Sequence, residues 1–273
     1  MNTKTFVKLT DDILFKEALA HKDNRYFLEY FLETFLFLDK GSLKDKLNVE
    51  YESIFTNKRY GEKPMRGDIV VRYDNYKINI ECYSTLNNKS ISKYNHYIMK
   101  VYSDIDEGKD YNIDTKVKQI NIVDGVGNKN LPDSVCSEYV LKDKKTGFEL
   151  DQYQTFTIYY YRVDLVQNND YNIDEENKDI IRFLKFIGAK SEKMRIKACE
   201  GDEKMLKFNK WLLNYVNDRE YKRKMGKWAE QIEREKIHDE GHKEGFAAGR
   251  KQGIKQGAKN NSFYNVPIGV DTL

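Results

Sequence analysis

Residues 67–83 read Gly-Asp-Ile-Val-Val-Arg-Tyr-Asp-Asn-Tyr-Lys-Ile-Asn-Ile-Glu-Cys-Tyr, and this stretch decides the fold. Polar and apolar residues alternate on both sides of Asp74-Asn75, which is typical of two β-strands joined by a two-residue turn. With that turn, Asp68 lies directly opposite Glu81, at a Cβ separation of roughly 4.5–5.5 Å. Two carboxylates at this distance repel each other unless a cation lies between them. The stretch therefore predicts a hairpin that carries a divalent metal site.

The alternation also assigns the two faces of the hairpin. One face is apolar and is predicted to pack on helices, whereas the acids share the polar face. The predicted apolar face carries Ile69, Val71, Tyr73, Tyr76, Ile78 and Ile80. The predicted polar face carries Asp68, Val70, Arg72, Lys77, Asn79, Glu81 and Tyr83. Without further context, an acid on such a face is more simply a solvated surface residue.

Helices and further strands are predicted on both sides of the hairpin. Thr10 is a suitable N-cap, Asp12 suits the first turn of the helix that follows it, and a second amphipathic helix spans about residues 24–38. A strand is predicted over 48–55, a helix over 87–106, and strands over 118–124 and 155–164. The segment 125–147 is predicted to be a loop or short hairpin, and helices return at 179–186 and 204–215. This order predicts an α/β fold with a mixed sheet flanked by helices.

Composition excludes several classes of protein. The formal net charge of +3 comes from 47 basic and 44 acidic residues, so global charge alone does not indicate nucleic-acid binding. The three cysteines are widely spaced and lack a Cys-x-x-Cys pair, as expected for reduced thiols in a cytosol. No stretch approaches the roughly 18 apolar residues of a membrane span. We therefore expect a cytoplasmic protein with no membrane partner.

The residues around the acid pair suit phosphodiester hydrolysis. Such a reaction needs acidic oxygens that hold Mg²⁺, which activates water and neutralises the charge of the phosphate. Asp68 and Glu81 supply these acids, and Tyr83 returns to the same face two residues after Glu81. Glu50 and Glu52 lie on the neighbouring predicted strand, where they are either surface charges or, for Glu50 above all, a further metal ligand.

Asp68 and the sequence Ile-Asn-Ile-Glu81 resemble the core motif of PD-(D/E)xK nucleases, and more specifically the bacterial recombination-promoting nuclease/transposase family. Asp12-Ile-Leu-Phe-Lys16, a Tyr-rich helix with Lys93-Tyr94 and Tyr97, and a C-terminal Glu-Gly-x-x-Glu-Gly array resemble other motifs of that family. Together they cover roughly residues 10–257. The resemblance implies a restriction-endonuclease-like fold and a Mg²⁺-dependent DNA endonuclease of recombination or mobile elements, in which Mn²⁺ substitutes for Mg²⁺.

One position departs from the family pattern. The family usually has Glu-x-Gln and the wider superfamily Glu-x-Lys, whereas this chain has Glu81-Cys82-Tyr83. A tyrosine hydroxyl binds water or a phosphate oxygen but carries no positive charge near neutral pH. Either catalysis is weakened, leaving a DNA-binding or oligomerisation protein, or Lys93 on the following helix takes the third role. Lys93 and Tyr97 are equally well explained as ordinary helix-face residues.

The C-terminal part differs in composition from the rest. Gly241, Gly245, Gly249, Gly253 and Gly257 recur every four residues, which on a helix gives one stripe suited to close helix packing. This pattern favours a homo-oligomer, although a highly charged tail without partners is the alternative. His238 and His242 lack a third ligand and are predicted to face solvent. The predicted organisation is a nuclease-like domain over 1–220, a charged helical tail over 221–259 and an unpatterned end over 260–273.

Overall fold

The computed structural model describes residues 6–51, 54–55, 65–66, 69–86, 91–92, 95–96, 98–99, 116–126, 132–149, 156–167 and 177–261. At its centre is the predicted hairpin, formed by β4 (Ile69–Tyr73) and β5 (Tyr76–Tyr83). Tyr73 pairs with Tyr76, so Asp74 and Asn75 form the turn, as predicted. Asp74 has a φ of 46°, in the left-handed region that aspartate tolerates better than most residues.

Four further strands extend this hairpin into a mixed sheet: β1 (Asn48–Tyr51), β6 (Lys116–Val123), β7 (Cys136–Tyr139) and β8 (Phe156–Arg162). The order of the six strands is β1-β4-β5-β6-β8-β7. Strands β5, β6 and β8 are parallel to one another, whereas β1 and β7 pair antiparallel at the two edges. A separate two-stranded sheet contains β2 (Ile54–Phe55) and β3 (Met65–Arg66).

Two strand predictions needed correction. The single strand expected over 48–55 is divided between β1 and β2, which belong to different sheets. The segment 125–147, expected to be a loop or short hairpin, contains β7, which pairs along the outer edge of β8. Cys136 and Ser137 of β7 pair with Tyr161 and Tyr160 of β8. Local sequence patterns do not reveal this pairing, because the two strands are separated along the chain.

Helices α1 (Asp12–Ala20) and α2 (Arg25–Phe35), separated by a 3-10 turn at Lys22–Asn24, cover the apolar face of the sheet. The hydroxyl of Tyr161 in β8 donates to the backbone carbonyl of Phe35 at the end of α2. The N-cap of α1 is Asp11, whose carboxylate accepts from the Leu14 amide at 3.1 Å. Thr10, the predicted cap, instead donates to Asp124 at 2.9 Å.

The remaining helices of the folded unit pack against α2 or against one another. They are α3 (Val163–Val166), α4 (Lys178–Ile187), α5 (Glu192–Ala198) and α6 (Glu203–Asn217). Asp202 organises the start of α6, because one carboxylate oxygen accepts from the Met205 amide at 2.9 Å and the other from the Tyr30 hydroxyl at 2.6 Å. Aromatic rings from α2, α4 and α6 form a buried cluster that holds this helical layer together.

The opposite face of the sheet is buried as well. Residues 91–92, 95–96 and 98–99 are helical, within the predicted helix 87–106. Ile98, 1% exposed, packs with Val70 and Val117 on the face that carries Glu81, and Ile91 packs against a second cluster on that face. The acid-bearing face is therefore polar in sequence, as predicted, but it is covered rather than open to solvent.

The chain separates into two compact units, Met1–Val216 and Asn217–Leu273. The described part of the second unit is a single helix, α7 (Arg219–Asn261), of 43 residues. At Gly241, Gly245, Gly249 and Gly253, the position that a Cβ would take has no described atom within 4 Å apart from the adjacent backbone of the same helix. Among the described residues, no helix is both long and apolar enough to span a membrane.

Candidate active site

Glu81 lies near the carboxyl end of β5, in the middle of the sheet. Its side chain is fully buried, with 0% exposure. The parallel neighbours β6 and β8 end at the same edge of the sheet, which is where open α/β sheets bind their ligands. A charged group is seldom buried so completely unless other polar groups hold it. Position and burial together make Glu81 the centre of the candidate site.

The register of the hairpin agrees with the predicted acid pair as far as it is described. Ile69 pairs with Ile80, and continuing the same register by one residue would pair Asp68 with Glu81, as predicted from the sequence. Asp68 itself lies outside the described residues. The pairing of the two acids is therefore still a prediction.

Both carboxylate oxygens of Glu81 accept a hydrogen bond from a side chain on the same strand and the same face. The Tyr83 hydroxyl donates to Oε2 at 2.6 Å, and Asn79 Nδ2 donates to Oε1 at 3.2 Å. Hydrogen bonds to a carboxylate are stronger than those between neutral groups and stabilise its negative charge. A carboxylate has acceptor positions for about four such contacts. One donor on each oxygen thus fixes the orientation of Glu81 in a way that is compatible with metal binding.

The contact of Tyr83 refines its predicted role. The sequence suggested that its hydroxyl binds water or a phosphate oxygen, in the place of the usual Gln or Lys. In the structure this hydroxyl donates to Glu81, so Tyr83 orients an acid. Lys93, the alternative bearer of the third role, lies outside the described residues, as do Tyr94 and Tyr97.

Glu50 is on the same face of the sheet as Glu81 but lies in the neighbouring row of paired residues. The register pairs Glu50 of β1 with Val70 and Val70 with Asn79, so Glu50 lies in the row of Asn79. Its Oε1 atom accepts from Arg72 Nε at 2.7 Å, with both side chains about one third exposed. Arg72 pairs with Asn48 and Lys77, so this ion pair directs Glu50 toward the row that lies away from Glu81. Its predicted role as a metal ligand is untested, and Glu52 lies outside the described residues.

Three buried amide side chains also lie beside Glu81, and the sequence did not single them out. Asn79, Gln119 and Asn121 are each 0% exposed and lie on adjacent central strands. Asn79 Nδ2 also donates to Gln119 Oε1 at 2.8 Å, and Gln119 Nε2 donates to Asn121 Oδ1 at 3.0 Å. For Gln119 and Asn121, the available sequence signal was the pattern Gln119-Ile-Asn121. Polar residues in a central parallel strand are unusual, because such strands are usually apolar on both faces.

The donor atoms at the site suit Mg²⁺. A carboxylate and amide oxygens are hard ligands, which Mg²⁺ and Mn²⁺ prefer to nitrogen or sulfur. Within the described residues, no three His, Cys, Asp or Glu side chains converge in a way that would hold a metal ion. Of the predicted metal ligands, Glu81 and Glu50 lie within the described residues and Asp68 lies outside them.

The mixed six-stranded sheet and the helices that flank it define an α/β fold of the restriction-endonuclease type. The chain belongs to the PD-(D/E)XK nuclease family transposases, whose family model matches residues 9–240. This match confirms the resemblance drawn from the hairpin acids and the flanking motifs, and it supports a nuclease or transposase role with DNA as the substrate that the family implies. No curated protein matches the chain.

Proposed function

We propose that the protein is a Mg²⁺-dependent DNA endonuclease that hydrolyses phosphodiester bonds in recombination or in the movement of genetic elements. The observation that carries the proposal is the Glu81 carboxylate, which is fully buried near the carboxyl end of the central strand and accepts from Tyr83 on one oxygen and from Asn79 on the other. Membership of the nuclease family supplies the class of reaction. The hard oxygen donors at the site supply the preference for Mg²⁺, with Mn²⁺ as a substitute.

Each residue has a distinct role in this proposal. Asp68 and Glu81 would hold the metal, which supplies activation of the attacking water and neutralises charge on the scissile phosphate. Tyr83 and Asn79 hold Glu81 in one orientation, so that the acid does not rearrange when DNA binds. Lys93 is the proposed source of the positive charge that Tyr83 lacks. Glu50 is a proposed additional ligand that would first have to leave Arg72.

Cleavage of supercoiled plasmid by the full-length protein tests the proposal. We expect nicked and linear products with Mg²⁺ or Mn²⁺ and none with excess EDTA, because the acids alone do not activate water. Catalytically inactivated protein prepared in parallel identifies contaminating nucleases. Cleavage that persists in EDTA would contradict a metal-dependent reaction. Intact plasmid under all metal conditions would favour the second candidate function.

The second candidate is a family member with weakened catalysis that acts by binding DNA. The observation in its favour is Tyr83, an uncharged residue in the third motif position whose hydroxyl is engaged with Glu81. Binding of labelled DNA in EDTA, measured from about 50 to 200 mM salt, would show this activity as an affinity that falls steeply with salt. Salt-dependent binding combined with intact plasmid in Mg²⁺ and Mn²⁺ would establish it.

We also propose that α7 mediates self-association through its glycine stripe. In the described part of the single chain, an added methyl group at Gly241, Gly245, Gly249 or Gly253 meets no atom within 4 Å apart from the adjacent backbone of its own helix. Replacing all four by alanine should therefore strengthen the helix, by up to about 1 kcal/mol per residue. The same methyl groups would hold two helices apart at a close-packed interface.

The quadruple Gly→Ala protein is thus expected to show more helix by circular dichroism and a lower sedimenting mass than wild type. Gln252→Ala, at an exposed position outside the stripe, is the control and should change neither quantity. A wild-type mass equal to that of one chain, or an oligomer that survives the four substitutions, would contradict self-association through the stripe.

A further inference from the structure

Asn79, Gln119 and Asn121 form a row of hydrogen-bonded amides next to Glu81. The contact of Asn121 at the far end of this row determines which way each amide donates. Asn121 Nδ2 lies 3.1 Å from the backbone carbonyl of Tyr159 in β8, and a carbonyl accepts but never donates. Asn121 must therefore present its NH₂ group to Tyr159 and its oxygen to Gln119. For the same reason Gln119 presents its NH₂ group to Asn121 and its oxygen to Asn79. The orientation of every amide follows from that one carbonyl.

The row ends by directing an N–H group at Glu81. The NH₂ group of Asn79 lies between two acceptors, Gln119 Oε1 at 2.8 Å and Glu81 Oε1 at 3.2 Å. If the Asn79 amide were rotated by half a turn, its oxygen would face two other oxygens. Gln119 thus prevents Asn79 from turning, and Asn79 in turn presents a donor to one oxygen of the acid.

This arrangement has a cost that packing does not explain. Asn79 Oδ1 is buried and has no hydrogen-bond partner among the residues that the structure describes. A buried polar atom without a partner destabilises the fold, and apolar side chains of similar size would avoid the penalty. Apolar residues do occupy this face close by, because Val70, which pairs directly with Asn79, packs there with Val117 and Ile98. The amides are therefore retained for a reason other than stability.

We propose that Asn79, Gln119 and Asn121 form a polarised amide relay, anchored on the Tyr159 carbonyl, that positions the Glu81 carboxylate for metal binding. Asn79 is the positioning residue that contacts the acid, and Gln119 fixes the orientation of Asn79. The relay acts on Oε1, whereas Tyr83 acts on Oε2. This inference rests on the proposed metal-dependent function and adds residues that hold its ligand.

Asn79→Leu, of nearly the same shape, tests the relay in the full-length protein. We expect the affinity for Mn²⁺ measured by calorimetry, and the Mn²⁺ concentration for half-maximal cleavage, to weaken about 10- to 100-fold, as is typical when the support of a metal ligand is removed. The maximal rate at saturating Mn²⁺ should fall less. The melting temperature should fall modestly, because Gln119 Oε1 and Glu81 Oε1 each lose a donor while the unpartnered Asn79 oxygen is removed. Gln119→Met should weaken Mn²⁺ binding by a smaller factor.

Asn209→Leu is the matched control, since Asn209 is also a buried amide but lies on α6. It should leave the Mn²⁺ dependence unchanged. If Asn79→Leu lowers the melting temperature while the Mn²⁺ dependence matches wild type, the amides have a structural role only and the relay is wrong. Wild-type cleavage would at the same time uphold the proposed function.

A metal-free measurement separates failure of the relay from failure of the proposed function. In protein with ¹⁵N-labelled asparagine, the side-chain resonance of Asn79 is identified by its loss in Asn79→Leu. Glu81→Gln and Gln119→Met should each shift this resonance, because each changes an acceptor of the Asn79 NH₂ group. If wild type neither binds Mn²⁺ nor cleaves DNA, the proposed function fails and these shifts still decide on the relay. An unshifted Asn79 resonance in both variants would overturn it.

Discussion

Replacing Glu81 by glutamine is expected to lower the rate of metal-dependent DNA cleavage by at least about 10³-fold while leaving the fold intact. The loss follows because a neutral amide is a poor Mg²⁺ ligand, and a bound metal contributes several kcal/mol of transition-state stabilisation at roughly 1.4 kcal/mol per tenfold in rate. Single-turnover nicking of plasmid in Mg²⁺ and Mn²⁺ measures the effect. Calorimetry with Mn²⁺ should show a parallel loss of binding.

The surroundings of Glu81 are suited to this substitution. Asn79 Nδ2 continues to donate to the remaining side-chain oxygen, and the Tyr83 hydroxyl is able to rotate and accept from the new NH₂ group. Neither of these two side chains loses its hydrogen bond to residue 81, so the thermal melting curve should stay close to that of wild type. Unfolding as the cause of inactivity is thereby excluded by the same sample.

Glu33→Gln is the matched control for this experiment. Glu33 is also a buried acid, 2% exposed, but it lies on α2 and accepts from the backbone amide of Leu43 at 3.0 Å. We expect Glu33→Gln to retain wild-type cleavage. A Glu81→Gln protein that cleaves at the wild-type rate, or a Glu33→Gln protein that loses cleavage while folded, would remove Glu81 from the active site.

The hairpin was predictable because its determinants are local. Strict alternation fixes which residues share a face, and a two-residue turn at Asp74-Asn75 fixes the register without information from elsewhere in the chain. Glu81 could be located for the same reason. The predicted N-cap of α1, Thr10, was wrong by one residue because Thr10 and Asp11 are both suitable caps. Thr10 donates to the distant Asp124 instead, and Asp11 caps the helix.

The relay was not predictable because its contacts join strands far apart in the sequence. β5 and β6 are parallel, and the crossover that separates them runs from residue 84 to 115, so no turn fixes which residue of β6 faces Asn79. The burial of the polar face was hidden for a related reason. Alternation shows that Asn79 and Glu81 share a face, but only the packing of Ile98 on that face shows that it is covered.

Replacing Phe208 by alanine is expected to lower the free energy of unfolding by about 3–5 kcal/mol, the range for a large aromatic side chain removed from a packed core. Phe208 is fully buried on α6, and its ring stacks on that of Phe27 with centroids 3.7 Å apart and planes 4° from parallel. Its ring also packs against that of Phe186 on α4, with the ring centroids 5.9 Å apart. One ring therefore connects three helices.

Phe148→Ala is the matched control for this prediction, because Phe148 is 56% exposed and lies outside the helical layer. Its replacement should change stability by less than about 0.5 kcal/mol, as is usual for surface positions. Urea unfolding followed by circular dichroism measures both variants, provided the slope against urea concentration is the same as for wild type. Equal midpoints for the two variants would show that the aromatic cluster of α2, α4 and α6 does not stabilise the nuclease fold. A large loss in Phe208→Ala alone would establish that the layer supporting the apolar face of the sheet depends on this ring.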